Sequence, residues 1–366
     1  MLQRPFGPNV VSPKGIQIEF PSCVFVCGSL RSLTLDVAHV ILKSPCSSSN
    51  LVCLKLVNVT VEDDDGFCKW VSLYCKSLKE LSLWGVQGPK NVTIKSSSLE
   101  LFVILPRIFH LTISGEKLEK IYVDWGFPAH TNSLNVFAPN LKYQTWFGNI
   151  MNYHSLGELN CLEQVDICVC TMLTKGTGRI LDLHSKLDKF FGSIRSVKVL
   201  VIKQHTAQKL MEEVFMHFLE SFYNVRNLGV SISSDLDDKM IPSIVSLLRA
   251  VPNFTTLDIR SPRDKVFFSG GPVESSFDTG HWQLQELDFI NRIKEVTIEI
   301  TDGSNGIEFA KYVLENSPSL KIMSIICAPT QKSSLMEGFR TSRVINPIMI
   351  VFLAQDNKNK VIVSAH

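Results

Sequence analysis

The chain has 366 residues, of which 45% are hydrophobic and 20% are charged, so it can bury a large apolar core, and this composition excludes intrinsic disorder. Its 37 Lys and Arg residues nearly balance its 35 Asp and Glu residues without any long basic block, which excludes the charge pattern of a nucleic-acid-binding protein. The longest apolar run, residues 348–354, is too short to span a bilayer, and the N-terminus has no apolar segment typical of a signal peptide.

A short pattern, apolar-x-x-apolar-x-apolar, recurs along almost the whole chain. Its last two apolar positions alternate as in a half-buried strand. The spacing of 21 residues from Leu33 to Leu54, and of 27 from Leu54 to Leu81, is typical of leucine-rich repeats. The sequence therefore predicts stacked strands, one for each repeat. In chain order the repeats are LRSLTL from Leu30, LVCLKL from Leu51, LKELSL from Leu78, IFHLTI from Ile108, LEKIYV from Leu118, LEQVDI from Leu162, VRNLGV from Val225, FTTLDI from Phe254, IKEVTI from Ile293 and LKIMSI from Leu320.

Amphipathic helical patterns lie between these repeats. The first places Phe67, Trp70, Val71 and Tyr74 on one face, and it follows the acidic run of residues 62–65, which is typical of a helix N-terminus. We expect such helices to cover the outer side of the stacked strands. The other helical patterns span residues 209–222, 240–251 and 307–316, whereas residues 90–109 and 124–159 are expected to contain short strands without helices.

The predicted fold class is α/β, an irregular leucine-rich-repeat solenoid of stacked strands with helices on the outer side, ending in a β-α-β unit. This last unit occupies residues 293–325, and a final buried strand is expected at residues 348–354. Residues 261–282 are rich in Gly, Ser and Pro and lack a sustained period, so they are the predicted boundary. The prediction is a leucine-rich-repeat region over residues 1–265 and a C-terminal region over residues 270–366.

Catalytic and cofactor motifs are weak in this sequence. Gly176 and Gly178 follow a strand, as in a dinucleotide-binding loop, but Leu181 stands where the third glycine is needed. A turn is the preferred interpretation of these glycines, and a nucleotide-binding enzyme is the less favoured alternative. The chain is therefore predicted not to be an enzyme, with no catalytic residues and no cofactor.

The ten cysteines are irregularly spaced and often occupy apolar positions, which favours reduced, buried thiols in a cytoplasmic and/or nuclear protein. Cys161, Cys168 and Cys170 lie near His154 in sequence, but no C-x₂-C pair is present, so structural cysteines are preferred to a metal site. Glycosylation sequons at Asn58, Asn91 and Asn253 leave open an extracellular leucine-rich-repeat domain as a further alternative.

Two regions together resemble the plant F-box/LRR-repeat proteins that end in an FBD domain. FPSCVFVCGSLRSLTL, residues 20–35, is similar to the segment that opens the repeat array of that family. IKEVTIEITDGSNGIEFAKYVLENSPSLKIMSI, residues 293–325, is similar to the FBD core, and MEGFRTSRVINPIMIVF, residues 336–352, to its closing segment. The repeats depart from the leucine-rich pattern at the ninth position, where Val59, Val86, Ser233 and Pro262 replace Asn.

The resemblance implies a protein-interaction module like the substrate-recognition part of an SCF-type ubiquitin ligase adaptor. An F-box is not visible, because the chain begins only about twenty residues before the segment that opens the repeat array, too few for a three-helix F-box. Skp-type and cullin subunits are therefore expected as partners only if a longer, F-box-containing product exists. Otherwise the chain is expected to be a stand-alone binding protein, or a competitor that occupies the target. No membrane or nucleic-acid partner is expected, and the target protein is unknown.

The candidate contact residues are those between the last two apolar positions of each repeat. Because neighbouring residues of a strand point to opposite faces, these side chains are expected to point away from the core and to form one face for a partner. The predicted face consists of Thr34, Lys55, Ser82, Thr112, Tyr122, Asp166, Gly229 and Asp258.

Overall fold

The computed structural model shows two compact units, divided between Ser196 and Val197. The structure describes residues 18–43, 47–105, 108–125, 133–148, 153–157, 159–169, 180–203, 206–207, 222–232, 241–260, 287–299, 305–327, 330, 332–340, 342, 347–354 and 360–365. The boundary predicted at residues 265–270 lies outside these residues and stays a prediction.

The described part of the N-terminal unit is built mainly of short strands. They are β1 (Ile18–Glu19), β2 (Ser32–Asp36), β3 (Val40–Leu42), β4 (Cys53–Val57), β5 (Thr60–Val61), β6 (Glu80–Trp84), β7 (Asn91–Lys95), β8 (Leu101–Leu105), β9 (His110–Ser114), β10 (Lys120–Trp125), β11 (Ser133–Phe137), β12 (Tyr143–Gly148), β13 (Tyr153–Ser155) and β14 (Gln164–Val169).

Alternate strands of this unit belong to different parallel sheets. The even-numbered strands form the main sheet, in the order β2-β4-β6-β8-β10-β12-β14. The odd-numbered strands form two outer sheets, β1-β3-β5 and β13-β11-β9-β7. The chain therefore coils from the main sheet to an outer sheet and back, adding one strand to each. The short strands that the sequence predicted for residues 90–109 and 124–159 are present there as β7, β8, β11, β12 and β13.

We expected helices to cover the outer side of the stacked strands, but in the described part of the N-terminal unit the two outer sheets form most of that cover. Helix α1 (Asp64–Lys69) occupies only one and a half turns of it, and α2 (Ile180–Ile194) follows β14. A short 3-10 helix (Ser22–Val26) precedes β2. The repeat IFHLTI, which was expected to stack with the strands of the other repeats, forms β9 of an outer sheet.

Helix α1 begins as the acidic run predicts. Asp63 accepts a hydrogen bond from the backbone N–H of Gly66 at 3.0 Å and caps the helix, while Asp64 and Asp65 lie in its first turn. A π-helical turn (Trp70–Tyr74) then widens the coil, since the N–H of Cys75 bonds to the carbonyl of Trp70.

The wider turn changes which side chains reach the core. Phe67, Trp70 and Val71 are buried as predicted, but Tyr74 is exposed and Cys75 is buried instead. The expectation that Tyr74 lies on the buried face is therefore wrong, because an α-helical period does not hold across a π turn.

Strict register aligns the apolar positions of successive coils. Leu54 lies beside Leu33 on one side and Leu81 on the other, and Leu56 lies beside Leu83 in the same way. These anchors are fully or almost fully buried in β4 and β6 and only half-buried in the edge strand β2. The core therefore lies between the main sheet and the outer layer.

Aromatic side chains fill the wider parts of this core. Trp70 packs edge-on against Phe25, with ring centroids 4.9 Å apart. Further along, Trp146 packs against Trp125 at 5.7 Å and against Phe190 of α2 at 5.6 Å. These contacts anchor α2 on the strands that precede it.

The C-terminal unit continues the pattern of parallel strands, with helices between them. Its strands are β15 (Val199–Lys203), β16 (Asn227–Ser231), β17 (Thr256–Arg260), β18 (Glu295–Glu299), β19 (Ile322–Cys327), β20 (Ile348–Ala354) and β21 (Lys360–Ala365). They lie side by side in chain order, and only β21 is antiparallel to its neighbour. Among the described residues, the helices of this unit are α3 (Ile241–Ala250), α4 (Asn305–Asn316) and α5 (Lys332–Arg340), with a short 3-10 helix (Asp288–Asn291) before β18.

The predicted β-α-β unit is present as β18, α4 and β19. In α4 the side chains of Phe309, Ala310, Val313 and Leu314 are fully buried, and the helix ends before Ser317 as expected from the following proline. The unit adds β18 and β19 to the sheet. Strand β20 then pairs in parallel with β19, and β21 pairs with β20 in the antiparallel direction. The fold class predicted from the sequence is confirmed.

One buried polar side chain interrupts the apolar register and provides a test of it. Gln144 is only 3% exposed, its register partners Ile121 and Val165 are apolar, and its Oε1 accepts no hydrogen bond from the described residues. Because an unsatisfied buried acceptor costs about 1–3 kcal/mol, we expect Gln144→Leu to raise the unfolding free energy by about 1 kcal/mol in urea titrations. The exposed Gln87→Leu is the control and should change it by less than about 0.5 kcal/mol. A loss of stability in Gln144→Leu would contradict the register assigned to β12.

A second prediction concerns the strands after β17. In a chain ending at Ser269, Leu257 and Ile259 lose their register partners Val296 and Ile298, and Phe254 loses the ring of Phe289 at 6.0 Å. The exposed edge is expected to make the protein aggregate, which light scattering after size-exclusion chromatography would detect. A soluble monomer would show that the C-terminal strands are dispensable.

Candidate partner-binding face

The main sheet of the N-terminal unit carries a row of side chains that alternate with the buried anchors. Five predicted residues, Thr34, Lys55, Ser82, Tyr122 and Asp166, lie in this row. Register adds two residues that sequence reasoning missed, and the complete row is Thr34, Lys55, Ser82, Val103, Tyr122, Thr145 and Asp166. We call the side of the main sheet that bears this row the strand face.

The other three predicted residues lie elsewhere. Thr112 is in β9 of an outer sheet, where Asn135 Nδ2 donates to its Oγ1 at 3.4 Å. Gly229 and Asp258 are register partners in the C-terminal unit, and the carboxylate of Asp258 pairs with Arg260. The eight predicted residues therefore do not form one face on one sheet, and their role in binding stays a prediction.

Exposure differs among the predicted residues. Thr34 is exposed, and Lys55, Tyr122 and Asp166 are half-buried, but Ser82 is only 7% exposed. Gly229 is buried as well, since a Cβ added there would meet Val201 Cγ2 at 3.0 Å. The expectation that all these positions are open to a partner does not hold for Ser82 and Gly229, because side chains of adjacent strands cover them.

An apolar cluster occupies the middle of the strand face. Trp84 stacks on Tyr122 with their ring centroids 6.1 Å apart and their planes 22° from parallel. Trp84, Val57 and Val103 are buried, and the half-buried Leu101, Leu105 and Tyr122 pack against them. The sequence signal was present, since Trp84 directly follows the last anchor of the repeat LKELSL, but the repeat pattern ends at that anchor.

Polar and charged groups surround this apolar cluster. At one end Gln164 Nε2 donates a hydrogen bond to Asp166 Oδ1 at 2.9 Å. Towards the strand starts, the ammonium group of Lys120 lies 5.2 Å from the ring centroid of Tyr143. Lys55 lies in register beside Ser82 on the opposite flank. The face thus combines a central aromatic pair with charges of opposite sign on either side.

Metal ligation finds no support in the described residues, which contain no group of three or more His, Cys, Asp or Glu side chains that could hold an ion. Cys161 is exposed and Cys168 is buried in β14, while Cys170, Gly176 and Gly178 lie outside the described residues. Within the described part of the chain, no helix is long and apolar enough to cross a membrane.

The sequence of the chain is similar to that of a known protein. No protein-family model matches the chain. The chain is 26% identical over 330 residues to an F-box/FBD/LRR-repeat protein of Arabidopsis thaliana, an alignment that covers 87% of the chain and 68% of that protein. The resemblance to this plant family is confirmed. That relative's name describes an F-box, an FBD domain and leucine-rich repeats, and the stacked parallel strands of this chain fit the leucine-rich repeats in that name.

The described cysteines form no disulfide with one another, and they divide into three exposed thiols, the half-buried Cys53 and four buried thiols. Cys23, Cys27 and Cys161 are exposed, whereas four others are buried in the core. A side-chain hydrogen bond from Ser29 lowers the pKa of Cys27, and burial raises the pKa of Cys75 to about 12. The buried ones are Cys68, Cys75, Cys168 and Cys327.

This division predicts the pattern of thiol alkylation. At pH 8 the native chain is expected to react with iodoacetamide at the three exposed cysteines and to protect the four buried ones, since only an accessible thiolate attacks.

Above about pH 9 the Cys75 thiol ionises in the unfolded chain before it ionises in the folded one, so its contribution to the unfolding free energy falls between about pH 9 and 12. Peptide mass spectrometry before and after unfolding in urea measures the protection. Alkylation of Cys75 in the native state would contradict the packing of the π turn.

Proposed function

We propose that this chain is a protein-interaction module that binds a partner protein through the strand face of its N-terminal unit. The observation that carries the proposal is the Trp84–Tyr122 stack, set in an apolar cluster and flanked by half-buried polar side chains. Parallel strands in register present a broad, rigid surface of this kind without any catalytic group.

The composition of the strand face fits the anatomy of protein interfaces. Such interfaces have an apolar, aromatic-rich centre and a polar rim, and a few aromatic residues contribute most of the binding energy. Tyr122 has the properties of such a residue, because its ring is held by Trp84 while part of it remains accessible. Lys55 and Asp166 would then orient a partner of complementary charge.

The finer proposal is that the partner is a protein selected for ubiquitination, as in the substrate-recognition part of an SCF-type ligase adaptor. Its support is the relative's designation as an F-box/FBD/LRR-repeat protein and the leucine-rich architecture that both share. Skp-type and cullin subunits would then join as partners through an F-box in a longer product. A stand-alone binder, or a competitor for the same target, is the alternative. The described cysteines, none of which is in a disulfide, favour the proposal of a cytoplasmic and/or nuclear location.

Substitutions on the strand face provide the test. Tyr122→Ala removes the accessible ring, and Thr145→Arg places a bulky charge beside it without removing the stack. Each is expected to lower recovery of the partner about tenfold in quantitative immunoprecipitation of the tagged chain, because loss of an interface anchor costs about 1.4 kcal/mol or more. Phe137→Ala is the matched control, since Phe137 is 52% exposed on an outer sheet. Equal recovery by all variants would refute binding through the strand face.

The same immunoprecipitation separates the two finer alternatives. Recovery of Skp-type and cullin subunits, together with bait peptides from upstream of the present sequence, would support the ligase adaptor. A partner that depends on Tyr122 but comes without those subunits would support the stand-alone binder. In both cases the pattern of the face variants reports on the binding site, independently of ubiquitination.

A further inference from the structure

A continuous series of backbone hydrogen bonds joins the starts of the strands in the C-terminal unit. The N–H groups of Arg226 and Asn227 both bond to the carbonyl of Lys198, and Thr255 and Thr256 bond in the same way to Arg226. The series continues through Lys294 to Lys321, so five residues lie side by side, one for each strand. We call them the edge row: Lys198, Arg226, Thr255, Lys294 and Lys321.

The edge row is basic, with four cationic side chains and no acid. All four cations are exposed, and Lys198, Lys294 and Lys321 form no ion pair with any described residue. Lys321 and Lys294 are adjacent, with the N–H of Lys321 only 2.8 Å from the carbonyl of Lys294. Like charges on neighbouring strands repel one another, and in this row no acidic side chain offsets the four cations.

The equivalent positions of the N-terminal unit show the usual arrangement. The same two-donor pattern runs there through Lys79, Glu100, Glu119, Lys142 and Glu163. Both signs of charge occur in this series, and two pairs of opposite charge contact directly, since Lys79 contacts Glu100 and Lys142 contacts Glu119, both at 2.8 Å. The fold therefore does not require a basic edge, and the difference is specific to the C-terminal unit.

The side chain of Arg226 is fixed by hydrogen bonds, and an exposed tyrosine lies close to it. Arg226 is held in place because its Nη1 donates to the backbone carbonyls of Tyr223 and Asn253, at 3.0 and 3.3 Å. Tyr223 itself is 61% exposed at the same edge, and Asn253 Nδ2 fixes its carbonyl at 3.0 Å. An exposed tyrosine beside a fixed arginine is the combination most enriched at interface hot spots.

We propose that the edge row, with Tyr223, is a second docking site, which binds an extended, Asp/Glu-rich segment of a partner protein. Neighbouring strands are about 4.8 Å apart, so the four steps of the row span about 19 Å. An extended peptide covers that distance with about six residues, which can place carboxylates opposite both ends of the row.

A peptide fits this surface better than a nucleic acid does. The row is one residue wide. The residue that follows Lys294, at the start of β18, is the exposed Glu295, which would repel a phosphate backbone lying along the row. The chain as a whole has a formal charge of only +2, which gives little of the broad attraction that nucleic acids require. A peptide can place its carboxylates on the lysines and an uncharged residue opposite Glu295.

Fluorescence anisotropy with the full chain tests the proposal. The probe is a rhodamine-labelled peptide of about eight residues, in which Glu and Gly alternate. We expect saturable binding that weakens with added salt, and the variant Lys198→Gln/Lys294→Gln/Lys321→Gln should bind about fivefold more weakly or worse. The matched control, Lys79→Gln/Lys120→Gln/Lys142→Gln, loses the same charge from the N-terminal unit and should keep its affinity.

Other outcomes would overturn the proposal. Absence of saturable binding would do so, as would equal weakening by both triple variants, since that would reflect net charge alone. A single-stranded RNA of the same charge that binds more tightly than the peptide, through the same lysines, would replace the proposed ligand. Tyr122→Ala should leave peptide binding unchanged, so failure here is distinguishable from failure of binding at the strand face.

Discussion

The rest of the structure depends on the register between parallel strands. Each coil of the N-terminal unit must add one main-sheet strand, and the carbonyl at each strand start accepts two successive N–H groups from the next coil. These paired bonds fix the register, because a slip of one residue would turn every buried anchor to the solvent. The apolar positions then stack without further specification, as Leu54 does between Leu33 and Leu81.

Strict register also relaxes a requirement that leucine-rich repeats usually carry. In the first two complete coils Val59 and Val86 occupy the position where an asparagine ladder is expected, and both are buried. Their backbone is satisfied by direct pairing instead, since the N–H of Gln87 bonds to the carbonyl of Val59 at 2.9 Å. The outer strands therefore take over the role of the asparagine side chains. Pairing between parallel outer strands supplies hydrogen bonds to buried backbone groups that would have no partner under a helical or irregular cover.

The sequence predicted most of the fold, and its failures have specific physical causes. The repeat pattern located β2, β4, β6, β10 and β14, and the β-α-β unit at the C-terminal end. It missed β8, where Leu101 to Leu105 are continuously apolar because this strand is covered on both faces. It missed β12 because Gln144 stands at an anchor, and it could not separate the outer strand formed by IFHLTI from the main-sheet strands, because inner and outer strands share the same alternation. The π turn after α1 leaves no periodic signal at all.

The candidate site was less predictable than the fold, since a face depends on neighbours that lie far apart in sequence. Alternation correctly turned Lys55, Tyr122 and Asp166 away from the core, but it could not reveal that Trp84 would stack on Tyr122 two strands away. The edge row was equally hidden, because successive lysines in it are separated by as many as 96 residues, the interval from Lys198 to Lys294. In a solenoid the surface is assembled across repeats, so its chemistry emerges only when register is known. One chain can therefore carry an aromatic-centred face in one unit and a basic edge in the other, while both units obey the same backbone rule.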